Sequence, residues 1–281
     1  MMAHARWLWL VLGSAACAPA GDAGARAGAA GGWAAEHATA LPTPPPATAG
    51  ASVAASRAAT PPLPPPAAPP AEAAPATVER LDVPHDLPLS FVRGADGKPP
   101  HIVFLPGICS NAWAYLASFS ASARAQGGAV AIDGDRPCGD SRDFHSITAD
   151  PNHEEPRIEA ALRRAGVESP ESTPVTLVGY SLGAILAEKL VQRSPERYSR
   201  VVLMGSPRDL ELSRLRGAKA VATMSCSLDV PGRMKKGAQS LGRIGVRAAY
   251  FEMPGCTHGN IADGDRVFDE VFAFLAGSDA S

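Results

Sequence analysis

One segment limits the fold more than any other. Val175-Thr176-Leu177-Val178 is a β-branched, apolar run short enough to be a buried strand. Gly179-Tyr180-Ser181-Leu182-Gly183 follows at once and matches G-x-S-x-G. From Leu182 the pattern turns helical, with Leu182, Ile185, Leu186 and Leu190 on one face through residue 193. A strand that turns straight into a helix has to do so at a tight elbow. Glycines two residues either side of Ser181 let neighbouring backbone come close there. In that setting the serine sits at the tip of the elbow, in front of the free N–H groups of the helix N-terminus.

The same alternation runs through residues 101–276. His101-Ile102-Val103-Phe104-Leu105, Ala129-Val130-Ala131-Ile132-Asp133, Val201–Met204, Ala220–Ser225 and Ala248–Met253 are further apolar runs of strand length. Helices are expected over 111–125, with Asn111 as N-cap and Gly127-Gly128 as the stop, and over 154–165, 182–193 and 264–276. Continuous apolar strands alternating with helices predict an α/β fold, a mostly parallel, doubly wound sheet covered on both faces. Residues 78–93 should add an antiparallel hairpin at one edge.

The N-terminal part of the chain has a different texture. Residues 1–17 read as an export signal: a short His4/Arg6 n-region, the apolar run Trp7–Leu12, then small residues. Cys17 after Ala15-Ala16 resembles a lipoprotein signal, although Ser14 stands where that motif prefers Leu. Lipidation of Cys17 is the favoured expectation and an ordinary cleaved signal the alternative. Residues 18–77 form a Pro/Ala-rich linker, 13 of the 27 prolines falling at or before residue 77. Such a stretch buries too little apolar surface to offset its chain entropy. A coil of that length spans on the order of 45 Å, enough for a tether. Residues 78–281 remain as one domain. No run of 18 apolar residues occurs, so the only membrane association expected is through the lipid anchor. With 26 Lys+Arg against 28 Asp+Glu the chain lacks the basic excess of a nucleic-acid binder. Neither CxxC nor HExxH is present, and no metal or cofactor is expected.

Taken together, "HIVFLPGICSNAWAYLA", "VTLVGYSLGAILAEKL", "SPERYSRVVLMGSP" and "FEMPGCTHGN" resemble the α/β-hydrolase fold superfamily across residues 78–276. The resemblance implies a serine esterase with the chain order nucleophile, acid, histidine. Ser181 would be the nucleophile. His258 is the only one of seven histidines after it, in a loop directly following the last strand. Among the carboxylates between them, Asp209, Glu211, Asp229 and Glu252 are the ones to weigh. Asp229 occupies the position where this family commonly carries its acid, and Asp209 follows the preceding strand, which some members use instead. The oxyanion donors implied are the N–H groups of Leu182 and of Ile108, in a Pro106-Gly107-Ile108 turn where the family usually has His-Gly-x.

The short 206–219 connection argues against an inserted cap domain. Trp113, Tyr180, Ile108 and Leu212 are candidate walls of an open pocket, and the basic run Arg233, Lys235, Lys236 reads as a solvated helix face. Apart from Cys17, four cysteines remain, an even number in an exported chain. The strand order implied by the fold pairs Cys109 with Cys138 and Cys226 with Cys256. The expected protein is therefore a monomeric, periplasmic, envelope-anchored or secreted hydrolase of small carboxylic esters. A thioesterase, amidase or perhydrolase on the same residues is an alternative, as is a non-catalytic surface protein.

Overall fold

The computed structural model describes residues 76–277. The leader, Cys17 and nearly all of the 18–77 linker lie outside the described residues. Ten strands and six helices follow in the order β1 (Glu79–Leu81), β2 (Leu89–Arg93), β3 (Ile102–Leu105), α1 (Ala112–Ala117), α2 (Ser120–Ala125), β4 (Gly128–Ala131), β5 (Arg136–Pro137), β6 (His145–Ser146), α3 (Pro151–Arg164), β7 (Thr176–Tyr180), α4 (Leu182–Arg193), β8 (Arg200–Met204), β9 (Ala220–Cys226), α5 (Pro231–Arg243), β10 (Ala248–Met253) and α6 (Gly264–Ala276). Eight strands make one sheet in the order β1-β2-β4-β3-β7-β8-β9-β10. From β4 to β10 all neighbours are parallel; β1 and β2 form the antiparallel hairpin at the edge.

Each central strand is buried on both faces, which is why its sequence is continuously apolar rather than alternating. In β3, Val103 and Leu105 face a core shared with Ile158 of α3, Leu186 of α4 and Met234 of α5. Ile102 and Phe104 face the opposite core, with Leu116 of α1 and Val271 of α6. Both cores therefore share the sheet, and the parallel strands all end at one edge, where the loops carrying Ile108, Ser181, Asp229 and His258 gather. Among the described residues no helix is long and apolar enough to cross a membrane.

Several elements depart from the sequence expectation. The 111–125 helix is two helices, broken at Ser118-Phe119. The Ser118 hydroxyl donates to the Tyr115 carbonyl, and the α6 residue Asp265 accepts from the Ser122 amide, capping the second segment. The break turns Phe119 inward to stack on Phe268 with ring centroids 4.0 Å apart. Helix α3 starts at Pro151 rather than 154, because Asp150 caps it and Pro151 supplies the preset φ of a first helical residue. Helix α5, bearing the basic run, buries Met234, Ala238 and Leu241 under an otherwise polar surface. The two-stranded ribbon β5–β6 was not expected. The 206–219 connection holds only a single 3-10 turn, Leu212–Leu215.

Candidate active site

Ser181 stands between β7 and α4 with a positive φ, φ 53° and ψ −114°. A non-glycine residue there is strained, and it persists only because its surroundings fix it. The Ser181 amide donates to the Met204 carbonyl at 2.8 Å. Glycines make the turn fit. A Cβ on Gly179 would lie 2.4 Å from the Gly183 carbonyl oxygen, and one on Gly183 would lie 2.1 Å from that of Leu105. Helix α4 is thereby seated against the end of β3.

The Ser181 hydroxyl lies 3.2 Å from His258 Nε2, and His258 Nδ1 lies 2.8 Å from Asp229 Oδ2. With its proton on Nδ1 the imidazole donates to Asp229 and accepts from the Ser181 hydroxyl. Asp229 is 10% exposed and His258 46%, so the carboxylate is shielded while the imidazole faces the cleft. Asp209 is elsewhere: it is exposed and pairs with Arg233 at 3.7 Å and Lys236 at 3.6 Å. Arg233 also donates to the Ser206 carbonyl, and Lys235 is exposed. Gly205, at the end of β8, has φ +51°; a Cβ on it would lie 3.0 Å from Asp229 Oδ2 and 3.3 Å from His258 Nδ1.

Two disulfides frame this edge. Cys226 and Cys256 are bonded with Cα atoms 5.0 Å apart, joining the segments that carry Asp229 and His258. Those segments also interlock through the backbone: Leu228 N–H donates to the Cys256 carbonyl and Gly255 N–H to the Ser227 hydroxyl. Cys109 and Cys138 are bonded with Cα atoms 5.5 Å apart, tying the loop after β3 to the ribbon. Ser110 Oγ accepts from the Gly107 amide, Ser146 Oγ accepts from the Cys109 amide, and Ser110 pairs with His145. A Cβ on Gly107 would lie 2.9 Å from that of Ser181, so this braced loop runs directly against the serine. Ile108 follows on that loop and lines the same cavity as Ser181. Leu182 N–H opens α4 and so has no acceptor within the helix.

A cavity of about 270 Å³ opens here, lined by Ile108, Ser110, Tyr115, Phe144, Tyr180 and His258 among others. Two expected walls are misplaced. Trp113 sits on α1 pointing to solvent, and Leu212 lines a different hollow beside Asp209 and Arg233. Tyr115 and Phe144 take their place. Tyr115 reads in sequence as an ordinary apolar helix position, and Phe144 belongs to a ribbon with no periodic signal. Among the described residues, Asp135, His153 and Glu154 bring ligand-type atoms within 4.8 Å of one another. They lie outside this cavity, and the Glu154 oxygens are already engaged by Arg157 and the Thr148 amide.

No protein-family model and no curated protein matches the chain. Solved structures do. Esterase PE8 superposes with a TM-score of 0.51 at 19% identity, over 70% of this chain and 99% of the other. Naproxen esterase from Bacillus subtilis gives 0.51 at 11%, over 71% and 91%. The chain has the α/β-hydrolase fold. A membrane phospholipase A described as a bacterial virulence factor shares it, with a TM-score of 0.51 at 13% identity over 73% and 87%. Identities this low speak to fold alone; on an α/β-hydrolase sheet, activity has to be argued from the residues at the strand ends.

Proposed function

We propose that this α/β-hydrolase cleaves carboxylic esters through an acyl-enzyme on Ser181. The observation that carries the reading is the unbroken hydrogen-bonded line Ser181–His258–Asp229 at a strained elbow. A serine hydroxyl is a weak nucleophile until a base takes its proton. His258 Nε2 accepts that proton as Oγ attacks the acyl carbonyl, and Asp229 holds the ring and stabilises the imidazolium. The Ile108 and Leu182 amides receive the developing oxyanion, a donor of this kind contributing about 3 kcal/mol. As the tetrahedral adduct collapses, the imidazolium returns its proton to the departing alkoxide. Water, deprotonated by His258, then attacks the acyl-enzyme, and Ser181 recovers that proton as the carboxylic acid leaves and ionises in solvent.

Apart from His258, no ionisable group of charged type lines the cavity, and Ile108, Phe144 and Tyr115 are largely apolar. This favours an uncharged acyl group. Two disulfides suit an oxidising compartment, which supports export, with residues 18–77 as the tether of the domain and Cys17 as its lipid anchor. A fluorophosphonate probe should label the wild type stoichiometrically and leave Ser181→Ala unlabelled. Ester turnover should fall by on the order of 10⁴-fold in Ser181→Ala and in His258→Ala, non-additively. Labelling that persists in Ser181→Ala, or near-normal turnover in His258→Ala, would refute the assignment.

A further inference from the structure

We propose that Tyr115 and Tyr180 are positioning residues that fix His258 by gripping both backbone polar groups of the next residue, Gly259. The inference rests on the reading of His258 as the base. Tyr115 Oη donates to the Gly259 carbonyl at 2.9 Å, and the Gly259 amide donates to Tyr180 Oη. One residue thus has its N–H and its C=O held by two side chains from different elements, α1 and the end of β7. The grip needs a particular backbone: Gly259 has φ +97°, a conformation that side-chain-bearing residues rarely adopt.

The two phenols are themselves held. Their ring centroids are 4.9 Å apart, Tyr115 stacks on the buried Phe104 at 5.5 Å, and the Tyr180 ring lies 5.1 Å from the imidazole. Helix α1 is fixed at its start by Asp133, which accepts from the Ala112 amide, and by the Asn111 cap. Burial pushes both phenols above the ordinary tyrosine range, Tyr180 further still because Tyr115 adjoins it. Both hydroxyls therefore stay neutral at working pH and serve as fixed hydrogen-bonding groups.

The geometry gives the grip a purpose. His258 lies beyond the last strand, in a loop outside the sheet ladder, and its side chain is half exposed. On one side the Cys226–Cys256 bridge anchors the loop two residues before the histidine. On the other, the Gly259 peptide is the next fixed point. Asp229 sets the tilt of the ring through Nδ1, but the distance from Nε2 to Ser181 depends on where the backbone at 258–259 sits. Tyr180 adjoins Ser181 in sequence, so it references the base to the nucleophile directly.

The test uses Tyr115→Phe, Tyr180→Phe and the double variant, which keep the rings and remove only the hydroxyls. On a soluble p-nitrophenyl ester, kcat should fall about tenfold in each single variant, with KM within about twofold of wild type. Because both hydroxyls hold one residue, the double variant should lose less than the product of the two. Independently of turnover, hydrogen exchange at the Gly259 amide should quicken at least about tenfold in Tyr180→Phe, its acceptor being gone. Unchanged kcat in both single variants, or an increase in KM with kcat retained, would overturn the proposal; the latter would make the tyrosines substrate contacts. If the wild type proves inert to esters and to the fluorophosphonate, the proposed function fails on its own. The exchange rate then decides the grip alone: an unchanged rate overturns it.

Discussion

On the proposed mechanism, Gly205→Ala separates the cost of a strained backbone from the cost of a displaced acid. Gly205 has φ +51°, so an alanine there pays about 1–2 kcal/mol for the left-handed conformation. For a domain of this size that lowers Tm by about 3–6 °C. The new Cβ would also stand 3.0 Å from Asp229 Oδ2, roughly 0.4 Å short of ordinary van der Waals contact. Backbone holds Gly205 in place through its amide bond to the Met224 carbonyl, so the carboxylate is the partner that gives way. The oxygen it moves is the one bonded to His258 Nδ1 at 2.8 Å. A misplacement of about 1 Å at a catalytic group costs about 100-fold, so a shift under half that size should cost about five- to tenfold in kcat. KM should hold, because Gly205 does not line the cavity. Gly166→Ala is the matched control: φ is +98° and the added Cβ meets nothing within 4 Å. Both variants should melt earlier than wild type in a thermal scan, and only Gly205→Ala should lose rate in an ester assay well below its Tm. Equal rates in the two variants would refute the claim that Asp229 acts through that oxygen.

Two further outcomes follow from the same structure. Asp229→Asn should lower kcat by about 10⁴-fold, whereas Asp209→Asn should leave it within about twofold, as measured on the same ester; the reverse ranking would move the acid to the β8 segment. Tyr198, fully buried and donating to Glu155, has its pKa raised by burial, the nearby carboxylates adding to that. The unfolded chain ionises this phenol from about pH 10 while the folded protein keeps it neutral, so its contribution to stability is intact below pH 10 and is lost as pH rises beyond it. In urea titrations Tyr198→Phe should be less stable by about 1 kcal/mol at pH 7 and should show a shallower alkaline decline. An equal alkaline slope in the two proteins would refute that assignment.

The strands of the sheet were legible because burial on both faces leaves an unbroken apolar run, and the elbow was legible because its glycines are required by contact. Helix α4 and helix α6 were equally clear from their periodicity. What stayed hidden depends on distant partners. The break at Ser118-Phe119 answers to Asp265 and Phe268, about 150 residues away in the chain, and nothing local to 111–125 signals it. Helix α5 has few apolar positions and three glycines or prolines in its first half, so its pattern is weak until β9 and β10 supply a surface for Met234 and Leu241. Cavity walls fared worst. Trp113 and Leu212 are apolar and near the right loops in sequence, but which side of a short helix meets the cleft is set by packing. Tyr115 had no signal at all, its partner Gly259 lying 144 residues on.

Both disulfides lie at the strand ends that carry Ser181; the Cys226–Cys256 bridge is buried at the edge of one core, and the Cys109–Cys138 bridge lies outside both. Burial holds the strands and helices together, and at the rim two covalent bonds are added to it. With both bridges reduced, the loops at Ile108, Asp229 and His258 would rest on their hydrogen bonds alone. On the proposed function, the rate of ester cleavage would then depend on whether these two bridges are formed.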